Sequence, residues 1–238
     1  MLKNNEWFLK GIHDGTPIAL GYLAVSFTLG IVAKKSGLTA VQAGLTAFLT
    51  NASAGGYVGF TLIAASASYL EMALTQLIIN ARYLLMSCAL SQKLSPDTSL
   101  FHRMLIAFDV TDEIFGISIS VSGPLNPFYN YGAMAVAIPG WTLGTVLGVL
   151  MGNVLPTDLV SALNVGLYGM FLAIVIPPAR KNRVIALLVI LSMVFSFAFS
   201  RLPLLSSISS GIRVIVLTVA ISLIAALLFP IKESDNLA

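Results

Sequence analysis

The chain has 238 residues, of which 57% are hydrophobic and 10% charged, with a formal net charge of +3. Ordinary soluble domains carry about 25% charged residues, so this chain lacks the polar side chains to cover a soluble surface and reads as an integral membrane protein. No basic face with interleaved aromatics is present, which excludes nucleic acid as a partner, and the single cysteine, Cys88, excludes an internal disulfide and a cysteine-based metal cluster.

The elements follow in chain order. The opening "MLKNNEWFLKGIHDGTP" lacks an apolar core and a small-residue cleavage site, so no removable signal peptide is expected. A membrane helix needs about 20 apolar residues. Candidate spans are 17–33, 38–67, 69–90, 131–151, 159–177, 184–199 and 212–229. In the first, Thr16 is read as an N-cap and Pro17 as the first helical position, with a break expected within "GIHDGTPIALGY" (11–22), so that Asp14 lies just before a helix start. The second is too long for one straight helix. Its middle, "TNASAGGYVG" (50–59), is small, polar and glycine-rich, a poor helix interior, and predicts a broken or re-entrant helix there.

The stretch 100–121 is apolar yet carries Asp109, Asp112 and Glu113, which at spacings i, i+3 and i+4 share one helix face. It is expected to line a cavity or lie against the bundle rather than face lipid, which leaves seven spans, or eight if it crosses. The fold class is therefore all-α: a polytopic helical membrane domain over 1–238. With seven spans, Lys34, Lys35, Lys93, Arg103, Arg180, Lys181, Arg183 and Lys232 share one side, and Lys3, Lys10, Arg201 and Arg213 the other. The first side is then cytoplasmic. Residues 29–39 resemble 147–157 at an offset of 118, and predict two repeat units, 11–94 and 127–204, plus an extra helix at 212–230. Three spans per unit make them an inverted pair, a common transporter plan.

Within this frame a few residues stand out. Arg82, in "LIINARYLLM", lies eleven residues before Lys93, roughly 16 Å along a helix and so near the bilayer midplane. A guanidinium there costs at least about 2.5–3.5 kcal/mol on insertion scales and should face an acid inside the protein. Asp14, Asp109, Asp112 and Glu113 are the available partners, and Asn80 adds an amide. The pair is either purely structural or also touches substrate or a coupling proton. Asp14 is either an ordinary residue before a helix or a buried acid that meets a substrate ammonium. Gly140, Gly144, Gly148 and Gly152 recur at i+4 along one helix face, precessing about 40° per step. That face packs closely inside the bundle, slides during conformational change, or docks another subunit. His13 and His102 are far apart and lack metal-ligand spacing, so no metal or cofactor is expected. No phosphate-binding loop, zinc-protease or serine-hydrolase motif is present, which argues against an ATP-driven motor and against an enzyme. The residues lead to a secondary transporter or transporter subunit with a polar midplane site.

Several motifs then point to a family. Pro17, Gly21-Tyr22, Gly30, "SGLTAVQA" (36–43), "NARYLL" (80–85), "TDEIF" (111–115) and "WTLGTVLG" (141–148) with Gly152 resemble the AzlC-type large subunits of bacterial branched-chain amino-acid exporters. The resemblance runs from about Gly11 to Leu227. It implies export of hydrophobic amino acids such as leucine, isoleucine, valine or methionine across a bacterial plasma membrane. It also implies a small AzlD-type membrane partner and a proton-coupled or potential-driven mechanism. The family commonly has a stretch like F-A-G-S-A-Q-F where this chain has "NASAGGY" (51–57), so Asn51 replaces an aromatic and Gly56 a glutamine. The expected substrate site combines Asn51, Ser53, Gly55 and Gly56 with Asn80, Arg82 and one of the acids. The rival reading is a non-transporting scaffold subunit whose glycine face holds a catalytic partner.

Overall fold

The computed structural model describes residues 3–152, 182–201, 208 and 210–229, together with 172, 175–176 and 179–180. Among these residues the fold is all-helical, apart from a single bridge between Leu94 and Leu125. Most of the candidate span at 159–177, and with it the middle of the second repeat unit, falls outside the described residues. Three helices are long and apolar enough to cross a membrane, and a fourth span is available if the broken pair 69–79 and 81–93 counts as one. The described residues divide into two compact units, residues 1–64 with 79–165, and residues 65–78 with 166–238.

The first unit is built on α1 (Asn4–Lys35) and α8 (Pro127–Met151). These two run parallel. Gly11 lies against Tyr129 and Ala133, Gly140 against Ala19, and Gly30 against Thr145, Gly148 and Val149, so contacts advance together along both chains. The glycines make this possible. A Cβ on Gly30 would sit 2.1 Å from the Thr145 carbonyl oxygen, and one on Gly148 would sit 2.0 Å from that of Phe27. Backbone therefore meets backbone along the pair, as small-residue faces allow in membranes. Gly140, Gly144 and Gly148 are all turned onto α1, and Gly152 closes the row against Ile31.

α1 corrects the expected break at 11–22. It is continuous from Asn4 to Lys35 with Pro17 inside it. Pro17 removes one amide donor, and the Thr16 hydroxyl donates to the Ile12 carbonyl 2.7 Å away instead of capping a new helix. Asp14 is thus a mid-helix residue.

The second hydrophobic segment breaks where its composition predicts. α2 (Ala40–Thr50) starts on a capping box in which Thr39 and Gln42 satisfy each other's backbone amides, and it ends at Asn51 with φ 42. α3 (Ser53–Ala64) sets out with Gly56 facing Leu29. α5 (Ala81–Lys93), α6 (Leu100–Phe108) and α7 (Asp112–Ile119) complete the unit. α6 and α7 form a hairpin that enters and leaves at one end. At its start His102 Nδ1 is 2.6 Å from the Tyr131 hydroxyl at the head of α8. At its finish the Lys93 ammonium donates to the Ile119 carbonyl, and Asn130 Nδ2 donates to Ser118 Oγ at 2.9 Å. Its tip, Asp109–Thr111, reaches Tyr22 in the middle of α1. Tyr22 is eleven residues, roughly 16 Å of helix rise, beyond Gly11, which is half a bilayer.

Two further expectations change. Lys93 accepts a backbone bond from Leu125 (2.9 Å), and Asn126 bonds Asn4 (3.1 Å), so Lys93 and the start of α6 lie at the amino-terminal end of α1. They do not share a side with Lys34 and Lys35, and the expected grouping of basic residues fails. In addition, α1 and α8 run parallel, whereas an inverted relation between 29–39 and 147–157 needs them antiparallel.

The second unit holds α4 (Tyr69–Ile79), α9 (Arg183–Arg201) and α10 (Ser210–Leu228), with α9 and α10 packed on each other. α9 has no buried residue and exposes Ile190, Met193, Val194 and Phe197, a surface suited to lipid.

Candidate functional site

The site forms where broken helices of the first unit end beside the middle of α1. Phe48, near the end of α2, and Phe108, at the end of α6, bring their rings to 6.2 Å, so the tips of two short helices meet. Irregular backbone at this depth is tolerated only inside protein or around a cavity. Here it comprises Asn51–Ala52 and Asp109–Thr111, and Asn51, Ala52, Asp109, Val110 and Thr111 are all buried.

α7 begins at this level with its charges in place. Thr111 is its N-cap, accepting from the Ile114 amide at 3.3 Å, and Asp112 and Glu113 occupy the first turn, where the helix dipole favours anions. Asp112 meets Arg82: Oδ2 is 2.9 Å from Nη2. Arg82 is itself in the first turn of α5, against the dipole, which strengthens its need for an anion. Its guanidinium also lies 5.2 Å from the centre of the Tyr83 ring. The second acid is held by Tyr22, whose hydroxyl is 2.7 Å from Glu113 Oε2 and 2.6 Å from Thr111 Oγ1. One hydroxyl hydrogen serves one acceptor at a time, and the carboxylate is the stronger. Trp141 of α8 packs edge-on against Tyr22 at 5.2 Å, so both members of the α1–α8 pair position that hydroxyl.

The third acid is different. Asp109 is 1% exposed, and no donor reaches either carboxylate oxygen. It lies in the link between α6 and α7, where its own carbonyl accepts from the Thr111 amide.

The expected site residues thus separate. Arg82, Asp109, Asp112 and Glu113 gather around the α7 start, with Asn80 beside them as the residue before α5. Asn51 caps α2 in the left-handed conformation and donates to the Phe48 carbonyl at 3.1 Å. Gly55 and Gly56 are buried in α3, and Ser53 opens that helix half-buried. Asp14 is not Arg82's partner. Its carboxylate is 2.9 Å from His13 Nδ1, and it accepts from the Tyr129 hydroxyl, also at 2.9 Å, toward the amino-terminal end of α1. The residues not expected in the site are Tyr22, Thr111 and Trp141. Their signal lay in the motifs, since each falls in "GY", "TDEIF" or "WTLGTVLG". Among the described residues no cluster of histidine, cysteine or acids could hold a metal ion.

The comparisons with known proteins agree with this picture. The AzlC protein family model matches residues 17–155, a range that contains α2–α8 and most of α1. A membrane protein of Archaeoglobus fulgidus is 31% identical over 185 residues, covering 77% of this chain and 81% of its own length. The inner membrane protein YgaZ of Escherichia coli is 26% identical over 150 residues, 61% of each chain. A membrane protein of Helicobacter pylori is 24% identical over 153 residues, 61% of this chain and 66% of its own length. No solved structure matches. The chain is a membrane protein that belongs to the AzlC family.

Proposed function

We propose that the protein exports hydrophobic amino acids, branched-chain ones among them, by alternating access across a bacterial plasma membrane. It does so as the large subunit of a transporter whose small AzlD-type partner is a separate membrane chain. The observation that carries the reading is the Arg82–Asp112 pair, placed where α5, α6, α7 and the α2 tip end in mid-bilayer. Intramembrane charges mark substrate and ion pathways, and half-helix ends at the midplane are how transporters hold a zwitterion. A substrate carboxylate competes with Asp112 for Arg82, and a substrate ammonium competes with Arg82 for Asp112. The apolar side chain rests among small residues such as Ala52, Gly55 and Gly56. The first unit supplies one part in backbone contact, α1 with α8, and a second part, the α6–α7 hairpin, held to it through side chains. Movement of the hairpin against the pair opens the site alternately, driven by the proton gradient or the membrane potential.

The test is efflux of a panel of labelled amino acids from cells or liposomes containing this chain, alone and with its small partner. Efflux of leucine, isoleucine, valine or methionine supports the reading, and its loss in Arg82→Ala assigns it to this site. No exchange of any amino acid in either preparation would leave the scaffold reading in its place.

A further inference from the structure

We propose that Asp109 is the proton carrier of the transport cycle, and that the conformation seen here is its protonated state. The proposal rests on the transporter reading above and names its coupling ion.

Of the three acids at the α7 start, two have partners. Asp112 faces Arg82 at 2.9 Å, and Glu113 faces the Tyr22 hydroxyl at 2.7 Å. Asp109 is the most buried of the three and has no donor on either oxygen. An ionised carboxylate stripped of water and of donors is far out of balance, whereas a neutral carboxyl pays only the cost of a polar group. The charged and titratable groups around it offer no donor. Glu113, in the first turn of α7, is itself an acid, and the Tyr22 hydroxyl from α1 is engaged with Glu113 and Thr111. Arg82 of α5 is committed to Asp112.

The position adds a mechanism. Asp109 lies in the non-helical link between α6 and α7, with φ −126 and ψ 44, at the tip of a hairpin anchored by its two ends. Ionising Asp109 requires water or a donor to reach its oxygens, so the tip must move. Protonation and hairpin position are thereby linked, as a coupled carrier requires. In each cycle a proton from water on one side adds to an Asp109 oxygen, the hairpin seats as seen here, and the proton returns to water on the other side after the tip has moved.

The experiment uses proteoliposomes of the chain with its small partner, loaded with leucine and an entrapped pH indicator. For the wild type, a pH gradient should drive leucine movement with proton counterflow, and choline in place of sodium should change nothing. Asp109→Asn imitates the protonated carboxyl. It should lose gradient-driven transport and proton flux at least about tenfold, and whatever leucine–leucine exchange it retains should no longer vary with pH. If Asp109→Asn does not yield a monodisperse protein, Asp109→Glu replaces it, and should retain coupling with a shifted pH midpoint. Proton flux surviving in Asp109→Asn, coupling lost in Asp109→Glu with exchange intact, or wild-type transport driven by sodium or by potential alone overturns the proposal. Absence of any amino-acid movement by wild type instead removes the functional reading on which it rests.

Discussion

Arg82 and Asp112 meet at 2.9 Å across two helices that both begin at the same depth, α5 and α7. The arrangement is lopsided. Asp112 sits well at a helix start and Arg82 sits badly there, so the acid stabilises a cation that its own helix does not. The side chains are 37% and 30% exposed, which leaves the pair open to water or substrate, and breaking it should cost less than the ~3–5 kcal/mol of a fully buried pair. Arg82→Ala and Asp112→Ala should each insert and purify, yet lose at least about tenfold in amino-acid efflux, equivalent to ~1.4 kcal/mol. Arg82→Asp alone should fail to accumulate in the membrane, and Arg82→Asp combined with Asp112→Arg should recover it. A double variant as defective in accumulation as the single one, with Glu113→Arg rescuing instead, would assign the pairing to the wrong acid.

Tyr22 ties the middle of α1 to the start of α7 through one oxygen. Tyr22→Phe keeps the ring against Trp141 and removes the contacts to Thr111 and Glu113. Leaving a buried acceptor unsatisfied costs about 1–3 kcal/mol. The expected result is a lower thermal unfolding temperature, seen by tryptophan fluorescence in detergent, together with slower efflux. Tyr22→Phe combined with Glu113→Leu should be less unstable than the sum of the two single variants, because both delete the same contact. Strict additivity would show that the hydroxyl and the carboxylate do not interact.

Much of this site was legible in the sequence. The count of eleven residues from Arg82 to Lys93 matches α5, which has Arg82 in its first turn and Lys93 at its end. The break at Asn51 followed from a run of small residues that cannot hold a helix. The acids at 109–113 were grouped by spacing, although they do not share one continuous helix: Asp109 ends α6 and the other two begin α7. What could not be read was anything set by long-range backbone contact. The path of the chain between Lys35 and Lys93 depends on where broken helices turn back, and hydropathy is blind to that. The continuity of α1 through Pro17 depends on support from α8, since Gly11 and Gly15 press on Tyr129 and Ala133 on either side of Asp14. Asp14 therefore looked like a residue before a helix, and its Tyr129 partner, 115 residues away, left no local trace.

The glycines along α1 and α8 are not equivalent, and substitution should sort them. A Cβ on Gly30 or Gly148 would lie about 2 Å from a carbonyl oxygen of the facing helix, a contact that no side-chain rotation relieves. Gly21 and Gly116 have nothing within 4 Å of that position. Gly30→Ala and Gly148→Ala should force the pair apart and sharply reduce the monodisperse fraction on size-exclusion chromatography. Gly116→Ala should be neutral or stabilising by up to about 1 kcal/mol, the helix-propensity difference, and Gly21→Ala likewise. Equal tolerance at all four positions would mean that α1 and α8 are not in backbone contact.

Arg103 separates stability from transport. It donates through Nε to the Thr98 carbonyl (3.1 Å), through Nη1 to the Ser91 carbonyl (2.9 Å) and hydroxyl (2.6 Å), and through Nη2 to the Ser95 carbonyl (3.0 Å). These acceptors are the last turn of α5 and the turn that follows it, whose carbonyls have no helical donor of their own. The guanidinium fork reaches all of them at once, and a lysine ammonium cannot reproduce that geometry. Arg103→Lys should therefore lower the unfolding temperature, with a stability loss of about 2 kcal/mol given the strength of charged hydrogen bonds. The side chain lies six residues from Asp109 on the stem of the hairpin and touches none of the charges at its tip. Efflux normalised to folded protein should accordingly remain within about twofold of wild type. If normalised efflux instead falls as far as in Arg82→Ala, with the unfolding temperature unchanged, Arg103 acts in the transport cycle and the stem of the hairpin is not a passive anchor.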